Sequence, residues 1–261
     1  MLTVVSLGAG VQSTTMALMA AHGEITPMPD CAIFADTQWE PAAVYDHLRW
    51  LMSPNVLPFP VQIVTGGDIR ADALAKVNST GQRFASIPWF TLSSKGTRGM
   101  GRRQCTKEYK LRPIQRKVVE LMDGKRPRGG ATLWIGISTD EAVRMKPSRV
   151  QYIVNRWPII EMGMTRRGCL RWMEKNGYPK PPRSACIGCP FHSDNEWRSL
   201  TPIEFADAAE VDRAIRYQPG IRAEQYMHSQ RVPLPDVDLR TPHEKGQEDL
   251  FGNECEGMCG V

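Results

Sequence analysis

The chain predicts an α/β fold: a parallel sheet of the five-stranded type with helices on both faces, followed by a helical, loop-rich C-terminal part. Two observations carry this expectation. Apolar, β-branched runs alternate with helix-length stretches through the first half, and the first such run enters its helix through a glycine-rich turn. With 261 residues there is enough chain for one sizeable α/β core.

Taken in order, Leu2–Leu7 reads as a strand, Thr14–His22 as a helix, Cys31–Asp36 as a second strand and Pro41–Met52 as a second helix. Val61–Val64 is a third strand and Ile69–Val77 a short helix. Asn78–Gln104, rich in Gly, Ser, Thr and Arg, reads as one long functional loop, because structureless segments of that length are seldom idle in a compact domain. Arg112–Asp123 is a helix whose first turn holds Pro113, where the missing N–H costs nothing. Thr132–Ile137 has the pattern of another buried strand, and Thr165–Asn176 and Pro202–Tyr217 are helical. The expected division is a nucleotide-binding domain over 1–232 and an acidic, mobile, cysteine-bearing tail over 233–261.

Charge is unevenly placed. Lys95–Arg128 holds twelve Lys or Arg against three acids, Arg144–Arg183 ten against two, and Asp236–Val261 reverses to seven acids against two bases. A basic body suits a polyanionic ligand, a nucleotide or a nucleic acid, although for any single Arg a solvated surface is the simpler reading. No apolar run approaches the length of a membrane span, and the first residues lack a signal-peptide pattern, so the expected location is cytoplasmic with no membrane partner. Seven cysteines without a secretory signal point to metal, cluster or redox use rather than to disulfides.

The turn Gly8-Ala9-Gly10-Val11-Gln12-Ser13-Thr14 would aim backbone N–H groups at an anion, with the Ser13 and Thr14 hydroxyls as further donors. It lacks the Gly-Lys-Ser/Thr ending of a Walker loop and the Gly-x-Gly-x-x-Gly of a dinucleotide site, and a plain strand-to-helix connection is the competing reading. Parallel strands put ligands at their carboxyl ends, where Ser6, Asp36-Thr37 and Gly136 also fall. Asp36 could instead cap the helix that follows, though the spacing suits that role poorly.

Three blocks in the second half extend the pattern. They are Arg103-Gln104-Cys105-Thr106-Lys107-Glu108-Tyr109-Lys110-Leu111-Arg112-Pro113-Ile114, Gly136-Ile137-Ser138-Thr139-Asp140-Glu141-Ala142-Val143-Arg144, and Ser184-Ala185-Cys186-Ile187-Gly188-Cys189-Pro190-Phe191. Following the glycine turn in this order, over about residues 1–200, they make the chain similar to the adenylylsulfate (APS) and phosphoadenylylsulfate (PAPS) reductase family of the PP-loop superfamily. That superfamily writes its loop Ser-Gly-Gly-x-Asp-Ser; here Gln12 stands in the usual Asp position and Val11 where reductases commonly have Lys. The resemblance implies a Rossmann-type PP-loop fold. It also implies an adenine nucleotide bound by Ser6, Gly8, Ala9, Gly10, Gln12, Ser13, Thr14, Asp36, Thr37, Gly136 and Asp140, with Mg2+ as an accompanying ion.

Cys186-x-x-Cys189 has the spacing that clasps one metal ion or one face of a cluster, and the basic setting of Cys105 favours a thiolate. The resemblance implies that Cys105, Cys186 and Cys189 hold a [4Fe-4S] cluster. Thr106 replaces the second cysteine of the family's first pair, so one iron would be left open, as sulfur-transfer members use to hold a sulfide. Zinc, with His192 as fourth ligand, is the alternative. Cys31 and Cys169 sit in apolar patterns and read as core. Cys255 and Cys259 resemble the family's nucleophile-bearing Glu-Cys-Gly tail, as a nucleophile with its partner, a redox pair or a second metal site.

Two enzymatic functions follow, and one that is not. A sulfonucleotide reductase would use Cys255 or Cys259 against the sulfonyl sulfur of APS or PAPS, with Lys110 and Arg144 neutralising the anion and a thioredoxin-like donor supplying electrons. An ATP-dependent sulfurtransferase would thiolate DNA or tRNA, for which Thr106 and the basic run from Lys95 argue; Trp89, Phe90 or Tyr109 could stack on a base, although aromatics are more often core. The non-enzymatic reading is a zinc-containing nucleotide- or nucleic-acid-binding module. Each is compatible with a monomer or a homo-oligomer.

Overall fold

The computed structural model describes residues 1–82, 86–218, 220–240 and 244. In chain order it begins with β1 (Leu2–Leu7), α1 (Val11–Ala21), β2 (Cys31–Asp36), α2 (Ala42–Leu51), β3 (Val61–Thr65) and α3 (Ile69–Leu74). Next come β4 (Phe90–Ser93), β5 (Arg98–Met100), a π-helical stretch Thr106–Leu111, α4 (Arg112–Leu121), β6 (Ala131–Ile135) and β7 (Ile153–Arg156). The remaining elements are α5 (Pro158–Glu161), α6 (Arg166–Lys175), α7 (Asp194–Ser199), α8 (Pro202–Ile215) and β8 (Ala223–Tyr226). Two compact units divide these residues. One comprises Met1–Asp36, Ala42–Gly66 and Tyr109–Ser184; the other comprises Thr37–Pro41, Gly67–Glu108 and the described residues from Ala185 onward. The backbone passes from one unit to the other five times.

The first unit is the expected α/β fold. Its five strands are all parallel, in the order β3-β2-β1-β6-β7. Because side chains alternate across a strand, neighbours in sequence serve opposite faces. Val5, Leu7, Phe34 and Trp134 pack with Met16, Leu48 and Met173 of α1, α2 and α6, whereas Val4, Ile33, Ala35 and Leu133 pack with Ile114 and Val118 of α4. Covered on both sides, the central strands read as continuous apolar runs, as parallel strands do. Helix α1 is itself core, with nine of its eleven residues buried.

The second unit holds an antiparallel sheet in the order β5-β4-β8. Helix α8 starts with a capping box in which Thr201 and Glu204 exchange hydrogen bonds, and Pro202 fills its first turn. Asp212 on α8 is 1 % exposed, so its carboxylate needs every partner it can find. It accepts from the Met227 and Leu234 amides at 2.7 and 3.1 Å and pairs with Arg216 at 2.6 Å. Those bonds tie β8 and the buried Leu234 to the helix.

Some sequence expectations are corrected. Asn78–Gln104 is not one loop, since it contains β4 and β5. Both strands are short, and β4 finds its second partner in β8, more than a hundred residues onward, a pairing that local pattern cannot reveal. The helix expected over Arg112–Asp123 ends at Leu121 and is preceded by π-helix. Helix α1 begins at Val11, three residues earlier than the pattern suggests, so Gln12 and Ser13 belong to its first turn. Among the described residues no helix is long and apolar enough to cross a membrane.

His47 of α2 lies inside the first unit, its Nε2 3.0 Å from the Thr14 hydroxyl. Burial lowers its pKa from 6.5 to about 4. Between those values the unfolded chain binds a proton that the folded chain refuses, so stability falls as the pH drops through that window. The loss from pH 7 to pH 4 should approach, at most, about 3 kcal/mol. Urea unfolding of the wild type and of His47→Gln at both pH values checks this; the variant should lose less on acidification.

Candidate functional site

At the start of the first unit's sheet, β1 runs into α1 through Gly8-Ala9-Gly10. Gly10 is the N-cap, and no side chain among the described residues caps the helix. The N–H groups of its first turn are therefore not consumed by a capping oxygen, the condition for an anion site at a helix start. The Gly8 amide donates to Ser13 Oγ at 3.1 Å, and that hydroxyl lies 3.3 Å from the Gly10 carbonyl, which closes the turn on itself. Ala9 adopts left-handed backbone, φ 57°, which costs an L-residue about 1 kcal/mol and is held here by complete burial.

Beneath the turn lies Gly136, just after β6. A Cβ there would stand 2.7 Å from the Ser13 nitrogen and 2.9 Å from its Cα. Only glycine lets the end of β6 come this close to the helix start. Ser184 covers Gly10 similarly: a Cβ on Gly10 would be 3.2 Å from the Ser184 Cβ.

Gln12 Nε2 donates to Ser138 Oγ at 3.2 Å and to Glu141 Oε2 at 3.0 Å. Glu141 in turn pairs with Arg144. A carboxylate thus stands against the Gln12 amide, a feature the sequence reading missed, since Glu141 carried no expected role. Thr14 is fully buried on His47, Asp36 accepts from the Tyr45 hydroxyl at 2.8 Å, and Asp140 accepts from the Arg166 amide at 3.1 Å, at the start of α6. Ser6 lies in β1, paired with Ile33 and Ile135, and Lys110 is half-buried in the π-helical stretch.

The second unit carries Thr37, Cys105, Cys186 and Cys189. The Cys189 amide donates to the Cys186 carbonyl at 3.0 Å and the His192 amide to the Cys189 carbonyl at 3.1 Å, so the Cys-x-x-Cys segment is a tight turn with a second turn behind it. Trp39 is its platform. The Ile187 amide donates to the Trp39 carbonyl at 2.8 Å, and a Cβ on Gly188 would overlap the indole at 2.1 Å. The indole N–H donates to Asp207 at 2.6 Å, and Arg70 grips that carboxylate and Glu210.

Cys186 Sγ lies 3.2 Å from the Thr37 hydroxyl and 3.7 Å from Glu40 Oε1, and Thr37 also donates to that carboxylate at 3.0 Å. Glu40 is 3 % exposed; sequence reasoning missed it, although it stands three residues after Thr37. Cys105 opens the π-helical stretch, its amide bonded to the Ser86 carbonyl at 3.0 Å. The His192 ring is edge-on to Trp197, 4.7 Å between centroids.

The five described cysteines are free thiols. Burial pushes the Cys31 and Cys169 thiols up to about 11, which makes them inert core groups, as their sequence pattern suggests. Cys105, Cys186 and Cys189 are half-buried. As a donor set three accessible thiols suit a soft-ligand centre, yet among the described residues no three His, Cys, Asp or Glu side chains stand close enough to share a metal ion. Cys255 and Cys259 lie outside the described residues. Trp89 and Tyr109 are buried, whereas Phe90 lies under the guanidinium of Arg231, 5.2 Å from its ring centroid.

The chain matches no protein-family model and no curated protein.

Two glycine substitutions probe the two turns separately. Gly136→Ala should push the start of α1 off the sheet, and Gly188→Ala should drive a methyl group into Trp39; each should lower stability by about 1–3 kcal/mol in thermal unfolding.

Proposed function

We propose that this chain is an adenine-nucleotide-binding enzyme of sulfur metabolism that reduces a sulfonucleotide to sulfite. The observation that carries the reading is the uncapped start of α1 over Gly136, whose first-turn N–H groups are not taken by a capping side chain. The likeness of the three cysteine-bearing and basic blocks to APS and PAPS reductases supplies the chemistry. A thiolate of Cys255 or Cys259 attacks the sulfonyl sulfur, breaking its bond to the phosphate oxygen and releasing AMP or its 3′-phosphate. The resulting S-sulfonate is then attacked by a second thiol; sulfite leaves with the S–S electron pair, a disulfide forms, and a dithiol donor of the thioredoxin class restores it.

In this reaction the first turn of α1 binds the nucleotide phosphate, and Lys110 and Arg144 balance the sulfonyl charge. Glu141 holds Arg144 in place and offsets part of its charge. By that likeness Cys105, Cys186 and Cys189 would be the ligands of a [4Fe-4S] cluster, although here they do not stand close enough together to share one metal ion, and the reduction by the tail thiols does not depend on it.

A second reading, ATP-dependent thiolation of nucleic acid, is favoured by Glu141. Its carboxylate next to Gln12 offers the hard oxygen that a nucleotide-bound Mg2+ requires. Adenylation would release pyrophosphate before sulfur is delivered.

The test is sulfite release from APS and PAPS by anaerobically purified protein with reduced thioredoxin, with iron and acid-labile sulfide assayed in the same sample. Reduction predicts sulfite with the wild type and a loss of at least about a hundredfold in Cys255→Ala and Cys259→Ala at unchanged unfolding temperature. Full activity in both variants sinks the reductase mechanism. Absence of sulfite together with pyrophosphate release from ATP, lost in Glu141→Gln, transfers the function to thiolation.

A further inference from the structure

Helix α6 of the first unit turns Cys169 and Met173 into the core. At about 100° per residue, Arg171 falls on the side directly opposite that pair. Arg167 and Lys175, four residues before and after it, complete a ridge along the outward face in steps of about 6 Å. All three are exposed. Glu174, at the edge of this face, is exposed as well, and among the described residues no acid forms an ion pair with any of the three cations. The other acids beside the helix are engaged elsewhere: Asp140 accepts from the Arg166 amide and Glu24 from the Trp172 indole. On neighbouring helices of the same unit a cation has its acid one turn away, as Arg49 has Asp46 and Lys117 has Glu120.

The ridge works against its own helix. Like charges four residues apart repel. Arg167 stands in a first turn that carries no acid, where the helix dipole disfavours a cation. Lys175, in the last turn, is the one member the dipole favours. A bound polyanion reverses the sign of each unfavourable term.

The ridge also starts at the ligand end of the sheet. The Thr139 amide donates to the Met164 carbonyl at 2.9 Å and the Arg166 amide to Asp140 at 3.1 Å. The start of α6 therefore stands beside the segment that follows β6 and brings Gly136 and Ser138 to the start of α1. From there α6 runs alongside α1, and the Trp172 indole donates to Glu24, just past the end of α1, at 3.0 Å.

Cations repeated along a line call for anions repeated along a line. One phosphate or carboxylate would engage a single member, whereas the phosphates of a nucleic-acid strand recur on the scale of these steps. An anionic membrane is a poorer match, because a helix lying on lipid needs an apolar face for it, and the apolar face of α6 is spent on the core.

We propose that the outward face of α6 is a phosphate track, in which Arg167, Arg171 and Lys175 hold successive phosphates of one nucleic-acid strand and lead it toward the glycine turn. The inference deepens the thiolation reading by saying where its nucleic acid lies. It rests on that reading for the choice of a nucleic acid over an acidic polypeptide.

Labelled oligo(dT) is titrated against the full chain by fluorescence anisotropy over a series of salt concentrations. No ATP is present, so failure to bind and failure to release pyrophosphate are separate results. The combined variant Arg167→Gln, Arg171→Gln, Lys175→Gln should bind at least about tenfold more weakly and lower the slope of log K against log salt by about 2, at about 0.7 per phosphate. Its unfolding temperature should not fall, since repulsion is removed. A matched variant, Lys125→Gln, Arg126→Gln, Arg128→Gln, removes the same charge from exposed residues of the turn before β6 and should keep the wild-type slope. The proposal is overturned if the wild type does not bind at low salt, or if the α6 variant keeps the wild-type slope. An equal loss in the matched variant overturns it too, by reducing the effect to net charge. Displacement of the oligonucleotide by poly-glutamate at equal charge concentration overturns the nucleic-acid assignment.

Discussion

The first unit depends on how closely two pieces of backbone can meet. Where β6 ends at Gly136 and α1 begins at Gln12 and Ser13, the separation leaves no room for a methyl group. This approach sets the height of the helix start above the sheet, and it forces the chain between β1 and α1 into the tight Gly8-Ala9-Gly10 path with Ala9 in left-handed backbone. The buried helix that follows and the inward turn of Thr14 toward His47 follow from the same placement. Glycine at 136 is thus a geometric requirement for the cradle, independent of what the cradle holds.

The second unit solves a different problem with an aromatic plate. Trp39 receives the Cys-x-x-Cys turn on its ring and anchors its N–H in Asp207, which Arg70 holds from the far side. Charge-assisted bonds to a carboxylate are among the stronger hydrogen bonds, and here they fix an indole whose face then positions two thiols. The carboxylate of Glu40 and the hydroxyl of Thr37 beside Cys186 give that sulfur a polar neighbourhood unlike the apolar burial of Cys31 and Cys169. Cysteines of one chain are thereby sorted into inert and available by surroundings alone.

Much of the first unit was legible because parallel strands buried on both faces write themselves as uninterrupted apolar runs, and because a glycine turn after the first of them announces a close approach. The glycines Gly8, Gly10, Gly136 and Gly188 stood inside quoted motifs, and their separate reasons emerge only with their neighbours in place. The hairpin of β4 and β5 was not legible: its strands carry Thr, Ser, Arg and Gly, and its register is stabilised by β8 from a distant part of the chain. Gln12 was read as a departure from a pattern; that it would bring Glu141 with it depends on a bond between residues 129 positions apart. Glu40 escaped notice because a buried carboxylate looks, in sequence, like any acidic residue at the start of a helix.

The five crossings between units carry a consequence for how this protein can be taken apart or inherited. Neither unit is a continuous stretch of polypeptide, and the glycine cradle and the Trp39 platform are encoded in interleaved segments. No single cut liberates one with its core complete: truncation after Gly66 leaves a sheet without β6 and β7, and truncation before Ala185 removes the cysteine turn from its platform. A gene fragment spanning either half would encode an incomplete core, so recombination cannot trade one unit as a cassette while keeping the other. The two sets of residues must be acquired, and lost, as one.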